Sequence, residues 1–258
     1  MMRNGKHDFG GSNERARKSL GHWVGLGLLA SVLLGQAASA APGQGWSSAA
    51  RPALLGAHLS QAAKPVGAAE LADRVQNFYD QSKTFQAKFK QRYFIAAYNK
   101  FKDSNGSVVF QKPGKMSWRY ENNGNRVVSN GQVIKVYEQE NKQMYEQSID
   151  RSQYPAALSF LLGGGKLKKE FKLKKLDSRA LGYEGGYVMM AEPKKATPAF
   201  QQMLLYIDAG TYQVRRVLMI DAQRNRNRFD FLTPVVNKPV PASEFQFTPP
   251  AGTKVIKP

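Results

Sequence analysis

The stretch Ser104-Asn105-Gly106-Ser107-Val108-Val109-Phe110-Gln111-Lys112-Pro113-Gly114-Lys115-Met116-Ser117-Trp118-Arg119-Tyr120 constrains the fold more than any other. It reads as two strands joined at Lys112-Pro113-Gly114, because Pro-Gly sets a turn and proline cannot donate to a ladder. Past the turn, Met116, Trp118 and Tyr120 share one face and Ser117 and Arg119 the other, since side chains alternate along a strand. A face so large and apolar is either the core side of an antiparallel sheet or the wall of an apolar binding site. The segment by itself leaves both open.

The period of two recurs on either side. Phe85, Ala87, Phe89 and Gln91 alternate with Gln86, Lys88 and Lys90, predicting a strand that runs on to about Tyr98. Asn122-Asn123-Gly124-Asn125 turns the chain into Arg126-Val127-Val128-Ser129, and Asn130-Gly131 predicts a type I′ hairpin turn. Further strands are expected at 133–138, 143–149, 171–176, 187–191, 200–207, 212–220, 226–236 and 244–247. Two helices interrupt them. Leu71, Val75, Phe78 and Tyr79 recur at helical spacing between Ala68 and Gln81. Tyr154, Leu158, Leu161 and Leu162 form a second stripe, with Pro155 in its first turn and Gly163-Gly164-Gly165 ending it.

Ahead of this pattern lie two segments of other character. Arg15, Arg17 and Lys18 precede an apolar run from Leu20 to Leu34, and Ala38-Ser39-Ala40 supplies a small-x-small cleavage site. Residues 1–40 therefore read as a cleaved secretory signal peptide, with an uncleaved anchor as the alternative. Residues 41–67 are rich in Ala, Gly, Pro and Ser without a sustained period, and are expected to be a disordered linker. The folded domain is expected over 68–258, exported from the cytoplasm.

Several chemistries are excluded by residues the chain lacks. There is no cysteine, so no disulfide, thiolate metal site or cysteine nucleophile can form, and no lipid-bearing Cys stands at the cleavage site. The mature product is expected to be released as a soluble protein. The three histidines, His7, His22 and His58, fall in the signal and the linker, leaving no base for a Ser-His-acid triad and no His-rich metal site in the fold. Gly163-Gly164-Gly165-Lys166 lacks the Ser or Thr and the earlier glycine of a phosphate loop. Asp208 and Asp221 occupy turn positions, and Asp230 alternates with Arg226 and Arg228 on a solvated face. No catalytic residue, metal or cofactor is expected.

Charge narrows the partners without choosing one. The chain carries a formal +19; residues 1–40 hold five Lys or Arg and two Asp or Glu, so 33 basic and 17 acidic residues remain, an excess of 16. Such an excess favours anionic partners. Nucleic acid is not expected, because the aromatics fall on apolar faces and the chain is exported. The run Lys166, Lys168, Lys169, Lys172, Lys174 and Lys175 is either a solvated strand face or a docking surface.

What remains is the apolar face. Phe85, Phe89, Phe110, Met116, Trp118, Tyr120, Met203, Leu205, Ile207, Met219, Phe229 and Phe231 give more aromatic and Met surface than two short helices obviously cover. Met suits a surface that must accept varied apolar partners. A curved sheet roofed by small helices would hold a cavity between them. A filled sandwich has the same periodicity.

In order and spacing, several short motifs resemble the periplasmic outer-membrane lipoprotein carrier family LolA. They are Thr84-Phe85-Gln86-Ala87-Lys88-Phe89-Lys90-Gln91, Lys112-Pro113 leading to Met116-Ser117-Trp118, and Val128-Ser129-Asn130-Gly131. Tyr154-Pro155 before Leu161-Leu162, Glu192-Pro193-Lys194 and Phe245-Gln246-Phe247-Thr248-Pro249-Pro250-Ala251-Gly252 continue the match, which runs from about Ala68 to Ile256. The resemblance implies a mainly β fold with a few short helices: an open, incomplete antiparallel β-barrel with a helical lid over an apolar cavity.

It also implies a non-enzymatic periplasmic chaperone, which binds acylated lipoproteins released by an inner-membrane ABC transporter and passes them to an outer-membrane acceptor, acting as a monomer. A related lipid-binding or envelope-stress regulatory module on the same half-barrel is the alternative. The ligand-binding residues so implied are Phe85, Phe89, Phe110, Met116, Trp118, Tyr120, Met203, Leu205, Met219, Phe229 and Phe231, with Leu158 and Leu161 from the lid. Lys112 stands where the family commonly carries an Arg that hydrogen-bonds lid carbonyls. A lid contact is expected there, altered because lysine offers one compact ammonium in place of a planar fork.

Overall fold

The computed structural model describes residues 66–149 and 165–257. The expected signal peptide, all of the linker but Val66 and Gly67, and the stripe from Tyr154 to Leu162 with Leu158 and Leu161 lie outside the described residues, as do Gly163 and Gly164.

Helix α1 spans Ala68–Gln81, as its periodicity predicts. Leu71, Ala72, Val75 and Tyr79 are its buried side. Glu70 in the first turn pairs with Arg74 at 2.6 Å, an i,i+4 contact on the opposite face. Ser82 ends the helix, its N–H donating to the Tyr79 carbonyl and its hydroxyl to that of Phe78.

Twelve strands follow among the described residues: β1 (Thr84–Ile95), β2 (Lys100–Gln111), β3 (Lys115–Tyr120), β4 (Arg126–Asn130), β5 (Val133–Glu138) and β6 (Gln143–Ser148) before a one-turn helix α2 (Leu167–Glu170). After it come β7 (Phe171–Leu176), β8 (Gly186–Pro193), β9 (Gln202–Asp208), β10 (Val214–Ile220), β11 (Arg226–Val236) and β12 (Lys254–Ile256). They make one sheet in the order β12-β6-β5-β4-β3-β2-β1-β11-β10-β9-β8-β7. Two antiparallel meanders are thus joined where β1 pairs with β11, and the long strands β1, β2 and β11 form the middle. The order does not close on itself, so the fold is an open half-barrel.

One continuous core fills its inner side. It runs from Phe85 on β1 through Trp118 on β3 and Ile134 on β5 to Met189 on β8 and Phe231 on β11, and takes in Leu71, Val75 and Tyr79 of α1. A flat sheet could not bring these strands into one cluster; a curled one does. Gly106 permits part of that packing. A Cβ there would lie 1.8 Å from the Arg119 carbonyl oxygen and 3.1 Å from the Phe89 ring.

The outer face departs from a simple polar surface in two places. Ser117 is buried although it faces away from Trp118. The segment after β11 crosses there, with the Glu244 carboxylate accepting from Arg119 Nε and Nη2 at 3.1 and 2.7 Å and Arg126 lying 5.2 Å over the Phe247 ring. At the other end Val188, Leu204 and Tyr206 form a second small cluster under Leu176, Tyr183, Met190 and Leu218. Strand β9 is therefore covered on both sides.

Several local expectations are corrected. The first strand ends at Ile95, where a 3-10 turn, Ala96–Tyr98, takes over. Asn130 is the last residue of β4, and the two-residue loop is Gly131-Gln132, with positive φ at Gly131 alone. The Asn130 side chain accepts from the N–H groups of Gln132 and Val133 at 2.9 Å each, and this local bond shifts the turn by one residue. The segment 244–247, expected as a strand, instead ends a 3-10 turn, Ala242–Phe245, and runs on through Gln246 and Phe247 without regular structure. Its place as a strand is taken by β12, which pairs parallel with β6. Part of the lysine run, Leu167–Glu170, is helical rather than extended.

Candidate functional site

All eleven predicted ligand-binding residues within the described part stand on the inner face of the half-barrel, and none is more than 5% exposed. They touch one another as a ring-rich surface. Phe89 meets Trp118 edge-on at 5.0 Å and Tyr120 at 5.1 Å, and Trp118 meets Phe229 at 5.2 Å. Phe85 bridges β2 and β11 through Phe110 at 5.8 Å and Phe231 at 5.4 Å. Met203, Leu205 and Met219 extend the same cluster across β9 and β10. Alternation on each strand aims these side chains inward, and the curl of the sheet brings them together.

Sequence reasoning found α1 without assigning it to this surface, although Leu71, Val75 and Tyr79 join the same cluster. It also missed Met189 and Ala191, whose alternation on β8 carries the signal. Inside the cluster the Trp118 Nε1–H is buried and has no hydrogen-bond partner among the described residues. An unpaired buried donor is costly and marks a place where an acceptor is wanted.

Helix α1 is fastened at its C-terminal end and along its flank. No basic residue lies in its last turn. The cation that such a helix end favours comes from the β2–β3 turn: the Lys112 ammonium donates to the Tyr79 carbonyl, and to that of Asp80 at 3.4 Å. Burial pushes the Lys112 pKa down; Asp80 opposes this and Lys166 adds to it. The Tyr79 hydroxyl accepts from the Val214 N–H at 3.0 Å, where β10 shifts register against β9. Burial drives the Tyr79 pKa far up, so the phenol stays protonated.

Toward α2, Gln76 accepts from the Leu167 N–H at 2.9 Å, while Lys166 and Lys168 pair with Asp80 at 2.8 Å and Asp73 at 2.6 Å. Two lysines of the basic run thus tie α2 to α1. Lys172 and Lys174 stay exposed on β7, the edge strand. Arg74 reaches Tyr212, donating to its hydroxyl and lying 5.0 Å over its ring.

The three late aspartates have structural partners. Asp208 accepts from the Gly210 and Thr211 N–H groups and the Thr211 hydroxyl, closing the β9–β10 turn. Asp221 does the same for the β10–β11 turn through Gln223 and Asn225. Asp230 lies between Arg216 and Arg228 on the outer face. Among the described residues no group of three or more His, Cys, Asp or Glu is placed to hold a metal.

The family model described as outer membrane lipoprotein carrier protein LolA matches residues 80–248. The outer-membrane lipoprotein carrier protein of Cupriavidus pinatubonensis is 27% identical over 215 residues, covering 82% of this chain and 96% of its own. That of Bordetella pertussis is 30% identical over 202 residues, covering 76% of this chain and 90% of its own. Among solved structures, a LolA superfamily protein from Nitrosomonas europaea superposes with a TM-score of 0.41 at 12% identity, covering 70% of this chain and 98% of its own.

Proposed function

The chain belongs to the outer membrane lipoprotein carrier protein LolA family, and we propose that it is a soluble periplasmic chaperone that shelters the acyl chains of lipoproteins between the inner and outer membranes. The observation that carries this reading is the inner face of the half-barrel, an apolar surface built from both meanders and covered in part by a helix that polar contacts fasten.

The need for such a surface is physical. Burial is worth about 0.8 kcal/mol per CH₂, so exposing one sixteen-carbon chain to water costs on the order of 12 kcal/mol. A carrier must cover such chains and still give them up. Here the cover is reversible in kind: displacing α1 breaks hydrogen bonds at Lys112 and Tyr79 and ion pairs to α2, while the strand ladders stay intact. Acyl chains entering the inner face replace the apolar contacts α1 loses. Trp118 Nε1 supplies a donor within that surface, and an acyl ester carbonyl is an acceptor such cargo brings.

In this reading Phe85, Phe89, Phe110, Met116, Trp118, Tyr120, Met203, Leu205, Met219, Phe229 and Phe231 are the cargo surface, and Lys112 is the contact that holds the lid. Cargo arrives from an inner-membrane ABC transporter and leaves to an outer-membrane acceptor that binds it more tightly, which gives the direction. The carrier acts as a monomer and transforms nothing.

The test is extraction. Purified protein incubated with inner-membrane vesicles and ATP should take acylated lipoprotein into the soluble fraction, with the lipoprotein's mass unchanged. Failure to extract any lipoprotein overturns the reading, and cargo recovered without its acyl chains would make the protein a hydrolase.

A further inference from the structure

The end of the half-barrel opposite the Lys112 contact carries the two most exposed large apolar side chains among the described residues. Tyr98 is 71% and Phe101 65% exposed, against 44% or less for the others. Both sit at the tip of the β1–β2 hairpin. Strand β1 begins beside the Lys112 contact and runs twelve residues to this tip, a span of roughly 35–40 Å.

The tip is built, not frayed. Ala96 N–H donates to the Asn225 side chain at 2.9 Å, tying the 3-10 turn to the neighbouring β10–β11 turn. Asn99 takes a left-handed conformation at φ 48° to close the hairpin. Phe94 and Phe101 face each other across the strands at 4.8 Å between ring centres. Arg226 lies 4.8 Å over Phe94, and Arg92 lies 5.6 Å over Phe101.

Three of the basic side chains at this end are left without an ion pair among the described residues. Asp103 is taken up by the fork of Arg92, with two bonds of 2.8 Å. Asp221 is occupied by its own turn. Glu138 and Glu140 act on Lys102. Lys100, Arg224 and Arg226 have no carboxylate partner among the described residues, and all three are exposed. Exposed rings ringed by unpaired cations match the interface of an anionic bilayer, where aromatic rings sit at headgroup level and basic side chains meet lipid phosphates. A second copy of the chain is a poor match, since two such tips bring like charges together.

We infer that the β1–β2 hairpin tip, through Tyr98 and Phe101 with Lys100, Arg224 and Arg226, docks this protein reversibly on an anionic phospholipid surface. The inference goes beyond carriage of acyl chains and does not rest on it: the tip lies outside the inner face and needs no cargo. Docking there would hold the opposite, lidded end away from the bilayer plane.

The test is flotation of purified, cargo-free protein with vesicles of phosphatidylethanolamine and phosphatidylglycerol, against vesicles of phosphatidylcholine alone. The anionic vesicles should carry at least tenfold more protein, and 0.5 M salt should remove most of it. Y98S/F101S should lower the bound fraction at least tenfold, and K100Q/R226Q severalfold on anionic vesicles only, with unchanged thermal melting showing that both fold. A Y98W variant should show a blue-shifted emission on anionic vesicles. Absence of flotation by the unsubstituted protein, flotation undiminished in Y98S/F101S, or tip-dependent self-association in sedimentation would each overturn the inference. Because no lipoprotein is present, failure here leaves the extraction result of the previous section untouched.

Discussion

The Lys112 ammonium donates to the Tyr79 carbonyl, so a turn of the sheet supplies the cation that closes the last turn of α1. This is one of a small number of polar contacts between helix and half-barrel, and it is the one a single substitution removes most cleanly. Lys112→Ala should lower stability by about 1–2 kcal/mol in urea unfolding, the worth of a charge-assisted hydrogen bond. It should also speed release of acylated cargo to an acceptor. Lys112→Arg, which still reaches the carbonyls, should keep both near the unsubstituted values. Unchanged release from the alanine variant would mean that Lys112 does not hold the lid.

Tyr79 has a second attachment through its hydroxyl. Tyr79→Phe leaves the Val214 N–H buried without its acceptor, at a cost of about 1–3 kcal/mol in denaturant unfolding. Hydrogen exchange should report it locally, as faster exchange at the start of β10 with little change on β3 and β4.

Gly106→Ala should be far more damaging than its size suggests. The added carbon would meet a backbone oxygen at 1.8 Å, and a carbonyl within a β ladder cannot move aside without breaking the β2–β3 pairing. The expected outcome is loss of the cooperative thermal transition, read by circular dichroism. A Gly106→Ala protein that melts like the unsubstituted one would show that the two strands can separate there at little cost.

Asp208 links the fold to pH. The Thr211 hydroxyl holds its carboxyl below the usual aspartate range, with the Thr211 and Gly210 N–H groups adding to this against partial burial. With the folded pKa below the unfolded one, the unfolded chain binds more protons as pH falls through about 4, so this contribution is full above that value and lost below it. Asp208→Asn should therefore be less stable than the unsubstituted protein at pH 7, by about 1 kcal/mol. The gap should close as pH falls past the ordinary aspartate range and through the lowered folded value. A gap that persists at low pH would assign the effect to packing of the turn.

How much of this could be read beforehand follows from the range of the forces involved. Helix α1 and strands β5 and β11 were predicted with their observed ends, α1 from a helical period that runs its whole length. The inner face was legible for the same reason: Phe85 and Phe89, or Met116, Trp118 and Tyr120, declare their side by alternation alone. Strand β12 was not. Its three residues have no period, and its partner Gln143–Tyr145 lies more than a hundred residues away in sequence. Glu244–Phe247 alternates like a strand, yet its alternation serves a segment laid across the outer face, with Glu244 on Arg119 and Phe245 buried. The Asn130 turn slipped by one because the side chain of Asn130 captured two backbone N–H groups. The burial of the predicted site residues was also beyond the pattern, which gives the facing of a side chain and not what packs against it.

The linear order of the strands has a further consequence. In a closed barrel the girth is fixed by strand number and stagger, and a wider lumen would require a ladder to break. In this sheet β7 and β12 are ends rather than neighbours, so the seam between them can spread or narrow while each hydrogen-bonded pair keeps its register. For the carrier proposed above, one acyl chain or several would then be housed at different widths of the same wall, and the energy that changes would be that of apolar contact, which is graded, instead of backbone pairing, which is all or none.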